Sequence, residues 1–142
     1  MKIEREIVIE APLARVWSLV AEPGWWVGAD HPAKEAVAGE LYVASHPTEG
    51  TFPVLAVTVD PPRYVAYRWA SARAGVTPEE SNSTLIEFTL VEEGTGVRVS
   101  MVESGFDTID FPEDVRRRNL DANSGGWDLE LGGLKDRAEK TE

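Results

Sequence analysis

The chain has 142 residues, no cysteine, and a formal net charge of −11 from 25 acidic and 14 basic side chains. Without thiols there can be no disulfide framework, thiolate nucleophile or cysteine-ligated metal, and so acidic a field repels phosphate backbones and anionic lipid headgroups. With 42% apolar residues and no low-complexity block, the length suits one hydrophobic core, so a single domain over residues 1–142 is expected.

At the N-terminus Lys2, Glu4, Arg5 and Glu6 interrupt every apolar run. Neither a signal peptide nor a spanning helix can begin there, and the expected location is the cytoplasm, without membrane insertion. Ile3 to Glu10 alternates, with Ile3, Arg5, Ile7 and Ile9 on one face, the period of a half-buried strand. Beyond Ala11-Pro12, Leu13, Val16, Trp17 and Val20 recur at helical spacing, and Pro23-Gly24 ends the run. Trp25-Trp26-Val27 reads as a short second helix or turn ahead of a polar, alanine-rich stretch.

From Glu40 the period becomes two. Strands are expected over Glu40 to His46, Thr51 to Val59, Tyr64 to Ser71, Thr84 to Val91 and Val97 to Ser104, joined by turns such as Pro47-Thr48-Glu49-Gly50 and Asp60-Pro61-Pro62-Arg63. Such short connections favour antiparallel hairpins. The longer polar segment Ala72 to Ser83 is either a mobile loop or the rim of a cavity. After Pro112, Val115, Leu120, Trp127, Leu131 and Leu134 mark a long terminal helix. Its interior pairs Gly125-Gly126 and Gly132-Gly133 suggest close backbone approach, since each glycine costs up to about 1 kcal/mol there. These elements bury their apolar faces together only if the sheet curls around the last helix, an α+β architecture.

Several local patterns resemble one known group. Ile7-Val8-Ile9-Glu10-Ala11-Pro12 followed by Val16-Trp17 resembles the opening strand and helix of the START/birch-allergen-like (SRPBCC), helix-grip superfamily. Asp60-Pro61-Pro62-Arg63 with Tyr67-Arg68-Trp69 is similar to the turn and strand of its branch related to the activator of heat-shock protein 90 ATPase. Glu103-Ser104-Gly105-Phe106 and Asn123-Ser124-Gly125-Gly126-Trp127 resemble the sheet end and Gly-Trp helix of that branch, where a histidine is common at the place of Asn123. The resemblance implies a curved antiparallel six-stranded sheet wrapped around a long C-terminal helix, with two short helices after strand one. Its members include lipid carriers, polyketide cyclases and aromatases, hormone receptors and co-chaperone domains.

Five tryptophans are many for this length. Core packing accounts for Trp17; for Trp26, Trp69 and Trp127 the alternative is a pocket wall, where an indole N–H can meet a polar partner. Ile86, Phe88 and Leu90 share an inward face, and if Val99 and Met101 point inward, alternation carries Glu103 to the same side. A carboxylate there is either a perturbed acid or hydrogen-bond anchor, or lies solvated at the strand end and paired with Arg68. Tyr42, Tyr67 and Arg68 are further polar candidates. His31 and His46 match no metal-ligand spacing, so no metal and no cofactor are assigned. There is no Gly-x-Ser-x-Gly elbow, and Arg116-Arg117-Arg118 reads as a solvated face pairing with Glu113 or Asp114.

The expected function is binding of a small hydrophobic or amphipathic molecule, lipid or polyketide-like, in an internal cavity, with little or no catalysis. The residues expected to contact it are Trp26, Tyr67, Trp69, Phe88, Met101, Glu103, Trp127 and Leu131. A cyclase or aromatase using Glu103, Tyr67 or Arg68, and a co-chaperone-like module with a homodimer or protein partner, stand as alternatives. Nucleic acid is not expected as a partner.

Overall fold

A computed structural model describes residues 1–140; the last two positions of the expected domain lie outside the described residues. The elements run β1 (Lys2–Ile9), α1 (Leu13–Val20), β2 (Leu41–His46), β3 (Gly50–Asp60), β4 (Tyr64–Trp69), β5 (Thr84–Glu93), β6 (Gly96–Ser104) and α2 (Glu113–Glu139), with a 3₁₀ turn at Phe106–Thr108. All strands join one curved antiparallel sheet in the order β1-β6-β5-β4-β3-β2. Strands β2 to β6 form the expected meander, and β1 closes onto β6 with Ile3 opposite Glu103. This is the helix-grip arrangement.

The inward faces follow the alternation of the sequence. Val97, Val99, Met101 and Glu103 on β6 and Ile86, Phe88 and Leu90 on β5 are all buried, and the register sets Phe88 opposite Met101 and Ile86 opposite Glu103. The strand β3 carries a bulge between Ala56 and Thr58, where Val57 turns outward.

The helix α2 opens behind Pro112 with Glu113 and Asp114 in its first turn, where the N-terminal dipole favours acids, and has Arg137 in its last. Trp127, Leu131, Leu134 and Ala138 recur at helical spacing and form its buried stripe. The interior glycines have a different cause from the expected one. A Cβ built on Gly125, Gly126 or Gly132 meets nothing within 4 Å, so open space, not close approach, surrounds them. The run Arg116-Arg117-Arg118 is consumed locally: Arg117 and Arg118 pair with Glu113 and Asp114, and Arg116 Nη1 donates to Phe111 O at 3.1 Å.

Behind α1, residues 21–27 form consecutive turns and not a second helix. The amide of Trp25 donates to Glu22 O and that of Val27 to Gly24 O. Gly24 sits at φ 81°, and a Cβ there would lie 2.6 Å from the Ala44 Cβ. A glycine is therefore needed both to stop α1 and to let Trp25 and Trp26 press onto the sheet. The loop after Ser71 packs beside the start of α2, with Gly75 N donating to Thr51 O and Asp110 N to Ser81 O. Among the described residues no helix is long and apolar enough to cross a membrane.

Candidate functional site

The space between sheet and helix is divided. Its centre is filled by side chains, for Trp25 stacks within 5.4 Å of Phe88 and 6.2 Å of Trp127 between ring centroids, and Tyr67, Phe88 and Met101 are buried beside them. The open volume lies at one end. It is a cleft of about 420 Å³, open to solvent on one side, not the enclosed cavity expected. Seven aromatic side chains form one contact network in this interior, and large rings fill a narrow sheet–helix gap.

Three groups of residues build the cleft. The turn after α1 supplies Trp26 and Val27; the sheet supplies His46, Phe52 and Trp69, with Glu49 from the β2–β3 turn and Ser71 from the loop after β4. The middle of α2 supplies Asn119, Ala122, Asn123, Gly126, Trp127 and Glu130, positions three or four apart that fall on one helical face. The rings of Trp26, Phe52, Trp69 and Trp127 form its apolar wall: Trp26 lies 5.6 Å from Trp69 and 5.9 Å from Trp127, and Phe52 lies 5.6 Å from Trp69. Gly126 leaves unfilled space that any side chain would occupy.

Behind this wall sits Glu103, fully buried. Its Oε2 accepts Thr84 Oγ1–H at 2.5 Å and the Trp69 indole N–H at 2.8 Å. Its Oε1 accepts the Trp127 indole N–H at 2.7 Å. Asn123 Nδ2 lies 3.2 and 3.1 Å from the two oxygens and also reaches Ser71 Oγ at 2.9 Å, which in turn accepts from Asn119 Nδ2 at 3.0 Å. Burial raises the Glu103 carboxyl above its ordinary value, while the hydrogen bonds from Thr84, Trp127, Trp69 and Asn123 pull it back only in part. The chemical role of this arrangement is orientation. One buried carboxylate fixes the planes of two cleft tryptophans and connects through Asn123 and Ser71 to the cleft surface.

Glu103 is therefore the anchor of the expected pair and not a solvated strand end, and Arg68 is not its partner. Arg68 Nη1 lies 3.4 Å from Ser83 Oγ beside Leu85 and Ser104, away from the cleft. Tyr67 donates its hydroxyl to Val20 O at 2.8 Å, tying α1 to the sheet, and burial pushes its phenol well up. The three groups of the cyclase alternative thus do not converge on one space. Of the eight residues expected at a ligand, Trp26, Trp69 and Trp127 line the cleft, Glu103 stands behind it, and Tyr67, Phe88, Met101 and Leu131 pack in the core. Phe52, Ser71, Asn119, Ala122, Gly126 and Glu130 were not anticipated. The helical members could have been read from the 3.6-residue period once Trp127 was placed on the wall.

His46 accepts the backbone N–H of Thr48 and of Glu49 at Nδ1, at 3.1 and 3.0 Å, which leaves its ring proton on Nε2. His31 instead bonds Gly28 O and Glu22. Among the described residues no three acidic or histidine side chains are grouped to hold a metal ion. Burial also leaves two indole N–H groups, of Trp25 and Trp26, without a partner among the described residues.

Comparison with solved structures agrees with this geometry. A protein from Mesorhizobium loti superposes with a TM-score of 0.78 at 19% identity, covering 100% of this chain and 99% of its own. An Aha1 dimer from Colwellia psychrerythraea gives 0.73 at 20%, covering 98% and 96%. CalU16 from Micromonospora echinospora gives 0.62 at 20%, covering 94% and 75%. At such identities the likeness is one of fold. No curated protein matches in sequence. The order of strands, the gripped helix and the Gly-Trp segment find their common origin in a sequence-family match that spans residues 10–139, and the chain belongs to the Activator of Hsp90 ATPase homolog 1-like protein family.

Proposed function

We propose that the protein binds a small amphipathic molecule in the cleft between β2–β4 and the middle of α2. The observation that carries this reading is the wall itself. Four aromatic side chains line a cleft of about 420 Å³, within the range of small-molecule sites, and the buried Glu103 fixes the orientation of two of them, Trp69 and Trp127. Apolar faces supply burial at about 25 cal/mol per Å², while Ser71, Asn119 and Asn123 offer a short hydrogen-bonding edge. Glu103, Tyr67 and Arg68 do not converge on the cleft as the cyclase alternative requires, so binding is the reading favoured over turnover by those groups.

Substitutions at open positions test this without disturbing the core. Ala122 is exposed and Gly126 has free space at its Cβ, so Ala122→Trp and Gly126→Leu fill the cleft of a folded protein. The neutral fluorophore N-phenyl-1-naphthylamine is expected to bind the wild type and to lose at least about tenfold in affinity, near 1.4 kcal/mol, in both variants. Equal titration curves for wild type and variants place the bound probe elsewhere and sink the reading.

A second reading rests on a different surface. The outer face of β2 and β3 exposes Leu41, Val43 and Val57, at 48%, 54% and 40%, with Leu55 opposite Leu41 and Pro53 opposite Val43, on a strand that forms the sheet edge. A contiguous apolar patch of this kind marks an association surface, and one relative of the same fold is described as a dimer. We infer self-association through this face. Analytical ultracentrifugation is expected to show a concentration-dependent dimer that Val43→Glu converts to monomer; a wild type monomeric at every concentration refutes it.

A further inference from the structure

The wall of the cleft contains two carboxylates, Glu49 and Glu130, and neither lysine nor arginine. His46 also lines the cleft and uses Nδ1 as an acceptor for two backbone amides, which leaves its N–H on Nε2. Arg137 shares an adjoining groove with Glu130, holds its guanidinium 6.0 Å from the Trp25 ring and does not line the cleft. An anionic ligand entering here would meet two carboxylates in a wall without lysine or arginine, inside a chain of net charge −11.

The aromatic wall points the same way. Trp69 and Trp127 donate their indole N–H groups to Glu103 at 2.8 and 2.7 Å. Donation to a carboxylate polarises the indole and enriches its ring face in electron density, and such faces attract cations, tryptophan most strongly. Trp26 and Phe52 pack against Trp69 at ring-centroid separations of 5.6 Å, so the wall a ligand meets is a contiguous aromatic surface. Burial raises the Glu130 carboxyl, and Arg137 and His46 oppose that rise. At longer range the acidic field of the whole molecule concentrates cations at its surface.

We propose that the cleft selects organic cations: an amine or quaternary ammonium whose apolar body lies on the tryptophan wall and whose charged head is balanced by Glu49 and Glu130. The proposal rests on the reading of the cleft as a ligand site and narrows it to one class. Fatty acids and other anionic lipids are excluded on charge, and neutral polycyclic molecules bind more weakly than their cationic counterparts.

A matched set of probes decides it. Naphthylmethyl-trimethylammonium and its neutral carbon isostere, neopentylnaphthalene, share shape and apolar area and differ in one charge; naphthalenesulfonate supplies the opposite sign. Titration by tryptophan fluorescence at low salt is expected to show the cation binding at least about tenfold tighter than the isostere, with the sulfonate weakest. Glu49→Gln and Glu130→Gln, both at cleft-lining positions outside the core, are expected to reduce that preference several-fold while leaving the affinity of the isostere unchanged. Equal binding of cation and isostere, with both lost in Ala122→Trp, overturns cation selectivity and leaves the ligand site standing. Failure of all three probes to bind overturns both. A preference that persists in the Glu49→Gln, Glu130→Gln double variant overturns the assignment of those carboxylates.

Discussion

Replacement of Glu103 by leucine is expected to lower the free energy of unfolding by about 3–5 kcal/mol, because several buried donors lose their acceptor together and each such orphan costs about 1–3 kcal/mol before relaxation. The donors are the Thr84 hydroxyl, the Trp69 and Trp127 indoles and the Asn123 amide. Glu103→Gln keeps one carbonyl oxygen but turns an NH₂ group toward donors, so about 1–3 kcal/mol is expected. Urea denaturation at neutral pH measures both, and a loss below about 0.5 kcal/mol in the leucine variant would show that the network contributes little.

The pH dependence of the same comparison has a definite sign. In the unfolded chain Glu103 ionises near its ordinary 4.5, whereas in the folded protein burial raises the value. The folded state therefore holds its proton to higher pH than the unfolded state. The associated stability is complete below 4.5 and is lost as pH rises through the folded-state value. Glutamine does not titrate. The stability difference between wild type and Glu103→Gln should accordingly shrink as pH increases from about 4.5, other groups cancelling between the two proteins. A difference that grows over this range would mean that the four donors overcome desolvation and hold the carboxylate ionised.

Trp127→Ala carries the second large effect. The indole is 2% exposed and packs against Trp25, Trp26 and Phe88 with centroid separations of 6.2, 5.9 and 5.9 Å. Truncation of a buried aromatic to alanine costs about 3–5 kcal/mol, and here it also frees one oxygen of Glu103. Trp127→Phe retains most of the ring packing and loses the N–H, for which about 1–2 kcal/mol is expected. Because Trp127 and Glu103 share one hydrogen bond, the pair Trp127→Phe and Glu103→Gln should be non-additive by about 0.5–3 kcal/mol. Strict additivity in a double-mutant cycle would mean that the 2.7 Å contact couples the two side chains weakly. Cleft probes should bind Trp127→Phe more weakly than wild type, since phenylalanine offers a smaller, less electron-rich face.

The family match explains the fold and leaves the cleft to this chain's own residues. Asn123 bridges Glu103 to Ser71. An amide there holds the network in place but does not exchange a proton at neutral pH.

Much of this architecture was legible in one dimension. Period-two alternation located six strands and the inward face of β5, and helical spacing from Leu13 and from Val115 located α1 and α2, because side-chain direction along a regular backbone repeats with the backbone itself; which way Tyr42, Tyr67 and Arg68 face depended on register. Alternation from Val97 left Glu103 either inward or solvated at the strand end, and burial of Val99 and Met101 decides for the first. The partners of Glu103 lay beyond that reach. They come from β4, β5 and α2, as far as 34 residues away along the chain, and only the strand register and the crossing of α2 bring Trp69, Thr84, Asn123 and Trp127 to one carboxylate.

The glycines show the same limit from the other side. Composition marks Gly125 and Gly126 as costly in a helix, but the reason differs between a tight contact and an open cleft, and the sequence is identical in the two cases. Local pattern thus determined which residues face inward and in what order the elements come. The tertiary structure alone decided that the interior closes around Trp25 and Phe88 and opens beside Trp26, Trp69 and Trp127, since that depends on how side-chain volumes from distant segments fill one shared space.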